Sequence, residues 1–245
     1  MIGHSIGDFV CAALSGVFQL EDVLPLVAAR GRMMSELPGG SMLSVFLPLF
    51  DVQSRLIPGI SIAAINGPTL CVVSGPYEKI EEFQKDLENN GVACKLLHTS
   101  HAFHSEMMEP IVEAFADKVA QLTRFEPQIP FLSTVTTKWV IKNEIMNPQY
   151  WARQLRSTVR FADAIEKITL NTPSFLAKHK SELLYFLNKA QDKECKWHLA
   201  LLISRLKLTK DEFFIVWLKL KEWVLNKNES KIVRVNSLQA LYELT

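Results

Sequence analysis

An α/β body that runs into an all-α segment is the fold class this sequence predicts, and three observations predict it. All ten glycines of the 245 residues lie between Gly3 and Gly91, and the last of the eleven prolines is Pro173. Gly and Pro punctuate turns and disfavour helix interiors, so a long stretch with neither reads as helix. Charge divides at the same place. Residues 1–170 carry 14 Lys+Arg and 18 Asp+Glu, net −4, whereas residues 171–245 carry 13 and 8, net +5. Finally, apolar spacing alternates between strand and helix periods before residue 168 and keeps the helix period afterwards.

Bulk composition narrows the function classes. With 48% hydrophobic residues, 22% charged and a net charge of +1, the chain has a sizeable core to bury and is neither a disordered tail nor a whole-chain nucleic-acid binder. No apolar run reaches the ~18 residues of a membrane span, and the first residues lack the basic and apolar pattern of a signal peptide. Cys11, Cys71, Cys94 and Cys195 are far apart and form no CxxC pair, which suits buried reduced thiols in a cytoplasmic protein.

Element by element, Gly3-His4-Ser5-Ile6-Gly7 is a turn. Residues 9–17 form an apolar, small-residue helix, and residues 21–37 a second one closed by Pro38-Gly39-Gly40. Residues 41–47 read as a strand and residues 51–56 as a short helix. Residues 60–65 and 69–74 form a hairpin around Asn66-Gly67-Pro68. Residues 77–90 make a charged amphipathic helix with Gly91 as its C-cap, and residues 92–97 a strand. Strand, helix, hairpin, helix, strand over residues 41–101 is a ferredoxin-like pattern. Residues 110–122 then read as a helix, 131–136 as a strand and 151–168 as a helical stretch.

Beyond residue 171 four amphipathic helices follow, carried by Leu183-Phe186-Leu187-Ala190, Leu199-Leu202-Ile203-Leu206, Phe213-Trp217-Leu220-Val224 and Ile232-Val235-Leu238-Leu241. Thr209 and Glu212 make a capping box at the head of the third. Short turns between such helices predict an α-hairpin array.

Three features could carry chemistry. Gly3-His4-Ser5-Ile6-Gly7 fits the nucleophile elbow G-x-S-x-G, in which a serine on a tight turn is exposed beside helix-start N–H groups that can hold an oxyanion. Flanking glycines relieve crowding there. A serine nucleophile needs a base, and His98, His101 and His104 cluster in His98-Thr99-Ser100-His101-Ala102-Phe103-His104-Ser105. A metal reading of these three is weaker, because no carboxylate or Cys stands at a matching spacing. Arg30, set among apolar and small residues in Ala28-Ala29-Arg30-Gly31-Arg32-Met33-Met34, suits an anionic partner such as a carboxylate, the alternative being a snorkelling surface arginine.

The segments GHSIG, AARGRMM, AAINGPTLCVVSG, HTSHAFHSEMMEP and YWARQLRSTVRFADAI stand in one order over residues 2–168. Together they resemble the malonyl-CoA:acyl carrier protein acyltransferase domain of polyketide and fatty-acid synthases. The resemblance implies a hydrolase-like body with a parallel sheet. It implies Ser5 as the nucleophile that takes the acyl group from coenzyme A, and His104 as the base. Arg30 is implied to pair with the free malonyl carboxylate, the Ile6 N–H to be an oxyanion donor, and His4 and Phe103 to flank the acyl pocket. Phe in HAFH accompanies malonyl rather than methylmalonyl selection in that family. Malonyl-CoA and an acyl carrier protein are the implied partners, with no nucleic acid, membrane, metal or bound cofactor.

Two departures from the family pattern shape the expectation. Family domains carry a long segment before the elbow, including a Gly-Gln-Gly stretch that completes the oxyanion site. Losing one such donor costs about 10²–10³ in rate. Asp8 also stands where a Glu is usual. After residue 168 the family pattern stops, and Lys196-Trp197-His198-Leu199 with Arg234-Val235-Asn236-Ser237-Leu238-Gln239-Ala240-Leu241 resembles a HEAT-type helical repeat. The expected division is an acyltransferase-like domain at 1–170 and a HEAT-like segment at 171–245. The expected activity is that of a malonyl transferase, intact or silenced by truncation. The alternative is a non-catalytic helical interaction module or fusion fragment whose tail binds a protein partner.

Overall fold

The computed structural model describes residues 1–171 and 173–245. Thr172, at the expected join, lies outside the described residues. The chain divides into two compact units, Met1–Ile165 and Glu166–Thr245.

In the first unit α1 (Gly7–Leu14) springs directly from the serine turn and ends at Gly16, whose φ of 79° only glycine adopts freely. Next comes α2 (Leu20–Ser35), which buries Val23, Leu26, Arg30 and Met34 on one face. Then β1 (Ser41–Val45), α3 (Leu49–Gln53), β2 (Ser61–Gly67), β3 (Leu70–Gly75), α4 (Tyr77–Asn89) and β4 (Cys94–Leu96) follow in the expected order. The four strands form one antiparallel sheet ordered β2–β3–β1–β4. Its hairpin turns at Pro68-Thr69, because Gly67 still pairs with Leu70 and the fixed φ of Pro68 suits the first turn position. Leu43 and Val73 of the sheet pack in one core with Ile80, Phe83 and Leu87 of α4.

A 3-10 turn at Glu106–Ile111 leads into α5 (Val112–Ala120), followed by α6 (Lys142–Ile145), α7 (Pro148–Arg153) and α8 (Phe161–Asn171). Phe9 and Phe18 pack on Trp151 with ring centroids 5.3 Å and 4.9 Å from the indole, and Phe115 meets Phe9 edge-on at 6.1 Å in the same core. The indole N–H donates to the Ile145 carbonyl at 3.0 Å. This core holds α1 and α2, and with them Ser5 and Arg30, against α5 and α7.

The parallel sheet expected for the body is not formed among the described residues. Residues 131–136 do not run as a strand. Ser133 Oγ accepts from the Val135 and Thr136 N–H groups, Thr137 takes φ 54°, and the chain turns back at once, leaving one parallel bridge, Ile2 to Leu132. The helical stretch expected over 151–168 is likewise broken. Val159 N–H donates to Ala63 O and Ile65 N–H to Val159 O, both at 2.9 Å, so this segment docks on the edge of β2 instead of coiling. Thr158 Oγ1 donates to Ile62 O at 2.6 Å and secures it.

The second unit holds α9 (Pro173–Lys178), α10 (Lys180–Lys189), α11 (Lys193–Ile203), α12 (Lys210–Leu225) and α13 (Lys231–Glu243). The Thr209–Glu212 capping box forms as read. The buried faces differ from the large-residue stripes. In α13 the inward residues are Val233, Asn236, Ser237 and Ala240, while Val235 and Leu238 are exposed; in α12 they are Val216, Leu220 and Trp223. Small side chains let α13 lie close to both α11 and α12, which larger ones would prevent. No described helix is long and apolar enough to cross a membrane.

Candidate active site

Ser5 sits on a turn whose backbone is unusual. Its φ is 54°, in the left-handed region that side-chain-bearing residues reach at a cost of about 1–3 kcal/mol. The turn is tight enough that a Cβ on Gly3 would lie 2.1 Å from the Gly7 carbonyl carbon. Gly3 is therefore obligatory here. The expectation that both flanking glycines relieve crowding is corrected at Gly7, where an added Cβ would meet nothing within 4 Å. Among the described residues no acceptor takes the Ile6 N–H, which stands at the head of α1.

His104 also has a left-handed backbone, φ 58°. It lies in a turn stapled by Ser105, whose hydroxyl donates to Ala102 O at 2.6 Å and accepts the Met107 N–H at 3.2 Å. The imidazole is 5% exposed. Its Nδ1 lies 3.0 Å from the Ser157 carbonyl and its Nε2 2.7 Å from Ser5 Oγ. A carbonyl can only accept, so Nδ1 carries the hydrogen and Nε2 presents its lone pair to the Ser5 hydroxyl. Burial and then the Arg30 charge lower the His104 pKa to about 4, against the smaller raising effect of the Ser157 carbonyl. At neutral pH the ring is a neutral base.

Arg30 is 7% exposed, and its Nε has no hydrogen-bond partner among the described residues. Burial lowers its pKa to about 10, which leaves it a cation at neutral pH. A buried cation without a counter-charge is costly, and an anion brought to it relieves that cost.

Ser5, His104, Arg30, His4, Ile6 and Phe103 line one cavity of about 480 Å³, with Met34, Met42, Val72 and Leu97 on its apolar walls. The fold thus brings together the six residues to which the resemblance gave a part in the site. Of the other two clustered histidines, His98 is exposed and off this cavity, whereas His101 lines it with Nε2 3.2 Å from the Leu37 carbonyl. Among the described residues no group of His, Cys, Asp and Glu is placed to hold a metal.

Several supports of the site had no sequence signal of their own. Asn66 Oδ1 accepts from His4 Nε2 at 2.8 Å, and Phe161 lies against the His4 ring at 5.1 Å. Gln154 donates its side-chain N–H to the Ser5 carbonyl. Asp8, 2% exposed, accepts from Thr134 Oγ1 at 3.0 Å, and burial raises its pKa to about 6. Gln154 and Phe161 fall within a quoted motif, and Asn66 in another, yet only the fold shows what each touches.

Residues 1–177 match the acyl transferase domain family. A polypeptide of the phenolphthiocerol/phthiocerol polyketide synthase of Mycobacterium tuberculosis is 35% identical over 173 residues, 71% of this chain and 12% of that polypeptide. Among solved structures, the acyl transferase domain of SpnD in complex with 2-(pent-4-yn-1-yl)malonyl is 34% identical. Its TM-score is 0.68, over 70% of this chain and 42% of that one. The malonyl CoA-acyl carrier protein transacylase of Burkholderia pseudomallei is 28% identical with a TM-score of 0.66, over 71% of this chain and 61% of that one. The chain therefore spans only part of each of these proteins. Over residues 1–177 it belongs to the acyl transferase domain family, as found in polyketide synthases.

Proposed function

We propose that this chain transfers a malonyl group from coenzyme A, through an ester on Ser5, to the phosphopantetheine thiol of an acyl carrier protein. The observation that carries the reading is the 2.7 Å approach of Ser5 Oγ to the neutral Nε2 of His104, in a cavity that also holds the buried, unmatched Arg30. Arg30 takes the free carboxylate. Ser5 Oγ adds to the thioester carbonyl while its proton passes to His104 Nε2, and the Ile6 N–H receives the negative charge on oxygen. The carbon–sulfur bond breaks, and the coenzyme A sulfur leaves with the proton from His104. In the second half the carrier thiol gives its proton to His104, its sulfur takes the acyl group, and Ser5 Oγ recovers the proton.

Phe103 and His4 flank the space beside the malonyl C2, and the bulk of Phe103 disfavours a methyl there. In the same reading residues 41–101 are a ferredoxin-like subdomain, supported by the β2–β3–β1–β4 order. Residues 171–245 are a HEAT-type segment that offers a protein-docking face, supported by its successive packed helices.

Intact-mass spectrometry tests the reading. Malonyl-CoA is expected to add about 86 Da, one malonyl group on a serine ester, and Ser5→Ala to abolish the gain. Folded protein that acquires no adduct refutes the proposal, and an adduct that survives Ser5→Ala refutes the site.

A further inference from the structure

We infer that Tyr77 is a positioning residue that sets how large an acyl group the cleft admits: its hydroxyl ties the small sheet to the turn that carries His104. This control on acyl size rests on the proposed acylation of Ser5.

The cavity is a cleft with two sides. Arg30 and His104 stand on one, and Met42, Ala64, Val72 and Leu97, from the small sheet and its end, stand on the other. Its width is therefore the distance between the sheet and the rest of the unit. One edge of the sheet is held by the backbone bonds between Val159 and β2. The opposite side is held where the chain enters the sheet at residues 38–40 and leaves it at residues 97–101. These two passages run side by side. Leu97 N–H donates to Met42 O at 2.9 Å, and Gly40 N–H to Ser100 O at 3.2 Å. They pack with no room for a side chain, because a Cβ on Gly40 would stand 2.8 Å from both Ala102 Cβ and Gly75 O.

Tyr77, the first residue of α4, closes this junction. Its Oη donates to the same Ser100 carbonyl at 3.0 Å. Gly39 leaves the seat for it, since a Cβ there would lie 2.6 Å from the hydroxyl oxygen. Tyr77 is 49% exposed, so its ring contributes little to the core. Ser100 itself lines the cavity, with its hydroxyl 2.8 Å from His101 Nδ1, and Phe103 and His104 follow on the same wall. The bond from α4 to Ser100 thus holds the sheet at a fixed distance from the base. Breaking it frees that side of the sheet to move away. A bulky acyl group binds the wider arrangement better and malonyl the narrower, and each ligand favours the arrangement it binds better.

Tyr77→Phe keeps the ring at its half-exposed place and removes the hydroxyl. Two quantities are read on a variant whose near-ultraviolet circular dichroism matches the wild type. Labelling of Ser5 by an equal mixture of malonyl-CoA and butylmalonyl-CoA, followed by intact mass, gives the preference for the smaller group. The net worth of one such hydrogen bond corresponds to a factor of about 2–10, and the preference is expected to fall by that factor. Hydrogen exchange at the Gly40 amide, which shares the Ser100 carbonyl, is expected to quicken by about the same factor. A merely structural role would slow both acyl groups alike and leave the preference where it was. An unchanged preference, or unchanged exchange at Gly40, overturns the inference. Wild-type protein that takes a small fluorophosphonate on Ser5 but neither malonyl compound overturns the proposed substrate alone. The preference is then read between a small and a bulky fluorophosphonate, with the same fall expected for Tyr77→Phe.

Discussion

Replacing the two elbow glycines one at a time by alanine separates crowding from mere flexibility. In Gly3→Ala the new methyl would stand 2.1 Å from Gly7 C, 2.3 Å from Gly7 O and 2.4 Å from Asp8 N. All three are backbone atoms and none can rotate away. Ordinary contact begins near 3.4 Å, so the turn must widen by roughly 1.3 Å. Overpacking of this kind costs about 1–3 kcal/mol, and an unyielding backbone places it at the upper end. The same widening displaces Ser5 from His104 by on the order of 1 Å, which predicts about a 10²-fold slower malonylation. In Gly7→Ala the methyl meets nothing within 4 Å, and the backbone lies outside the left-handed region. Alanine there removes unfolded-state freedom and stabilises by about 0.4–1 kcal/mol. The two alanines thus differ by roughly 3–4 kcal/mol in stability. Urea denaturation followed by tryptophan fluorescence reads the first quantity, and single-turnover intact-mass kinetics the second. Equal denaturation midpoints for the two variants, or wild-type malonylation by Gly3→Ala, would refute the account of the elbow.

Other expectations follow from the buried charges and caps. Because the His104 pKa is lowered to about 4, malonylation should stay level from neutral pH down to about pH 5 and fall near pH 4; a midpoint near the ordinary 6.5 would contradict the burial argument. Since the Arg30 charge is part of the cause, Arg30→Ala should move that midpoint upward, and should also let acetyl-CoA label Ser5 as readily as malonyl-CoA does, measured by competition between the two. Asp8, raised to about 6 by burial, holds its proton more tightly folded than unfolded. It therefore favours the fold below its unfolded value near 3.8, and that support is lost as pH rises through 6. Asp8→Asn should raise the melting temperature at pH 8, with a gain that shrinks below pH 6; a gain independent of pH counts against the assignment. Thr209→Ala should cost about 1 kcal/mol by thermal melt through loss of the α12 cap, and no change would show the cap to be redundant.

Residue types and local spacing carried the motifs and their order along the chain, and the roles expected of the site residues came from the resemblance those motifs carry. Gly3 was legible because a turn that forbids a Cβ demands glycine, and Ser5, His104 and Arg30 stood out as candidates because the elbow pattern, the histidine cluster and an arginine among apolar residues are all local features of the sequence. The helix of the small sheet was legible to its end, since Gly91 at φ 72° closes α4 as a left-handed cap must. The Thr209 capping box was legible for the same reason: both are local, made by residues three or four apart.

Whatever depends on distant partners was fixed by the tertiary fold. Residues 131–136 have strand composition, yet Ser133 turns them back; residues 157–160 have helical spacing, yet the open edge of β2 offered their backbone better bonds. The inward face of α13 is set by Ser237 and Ala240, because close approach to α11 and α12 outweighs the burial of Val235 and Leu238. The supports of the site, Gln154 on the Ser5 carbonyl and Ser157 on His104, belong to this second class. A carbonyl oxygen is the same in every residue, so no side-chain pattern announces which one will meet the base. That choice is made when α7 and the edge of β2 fix the segment between them.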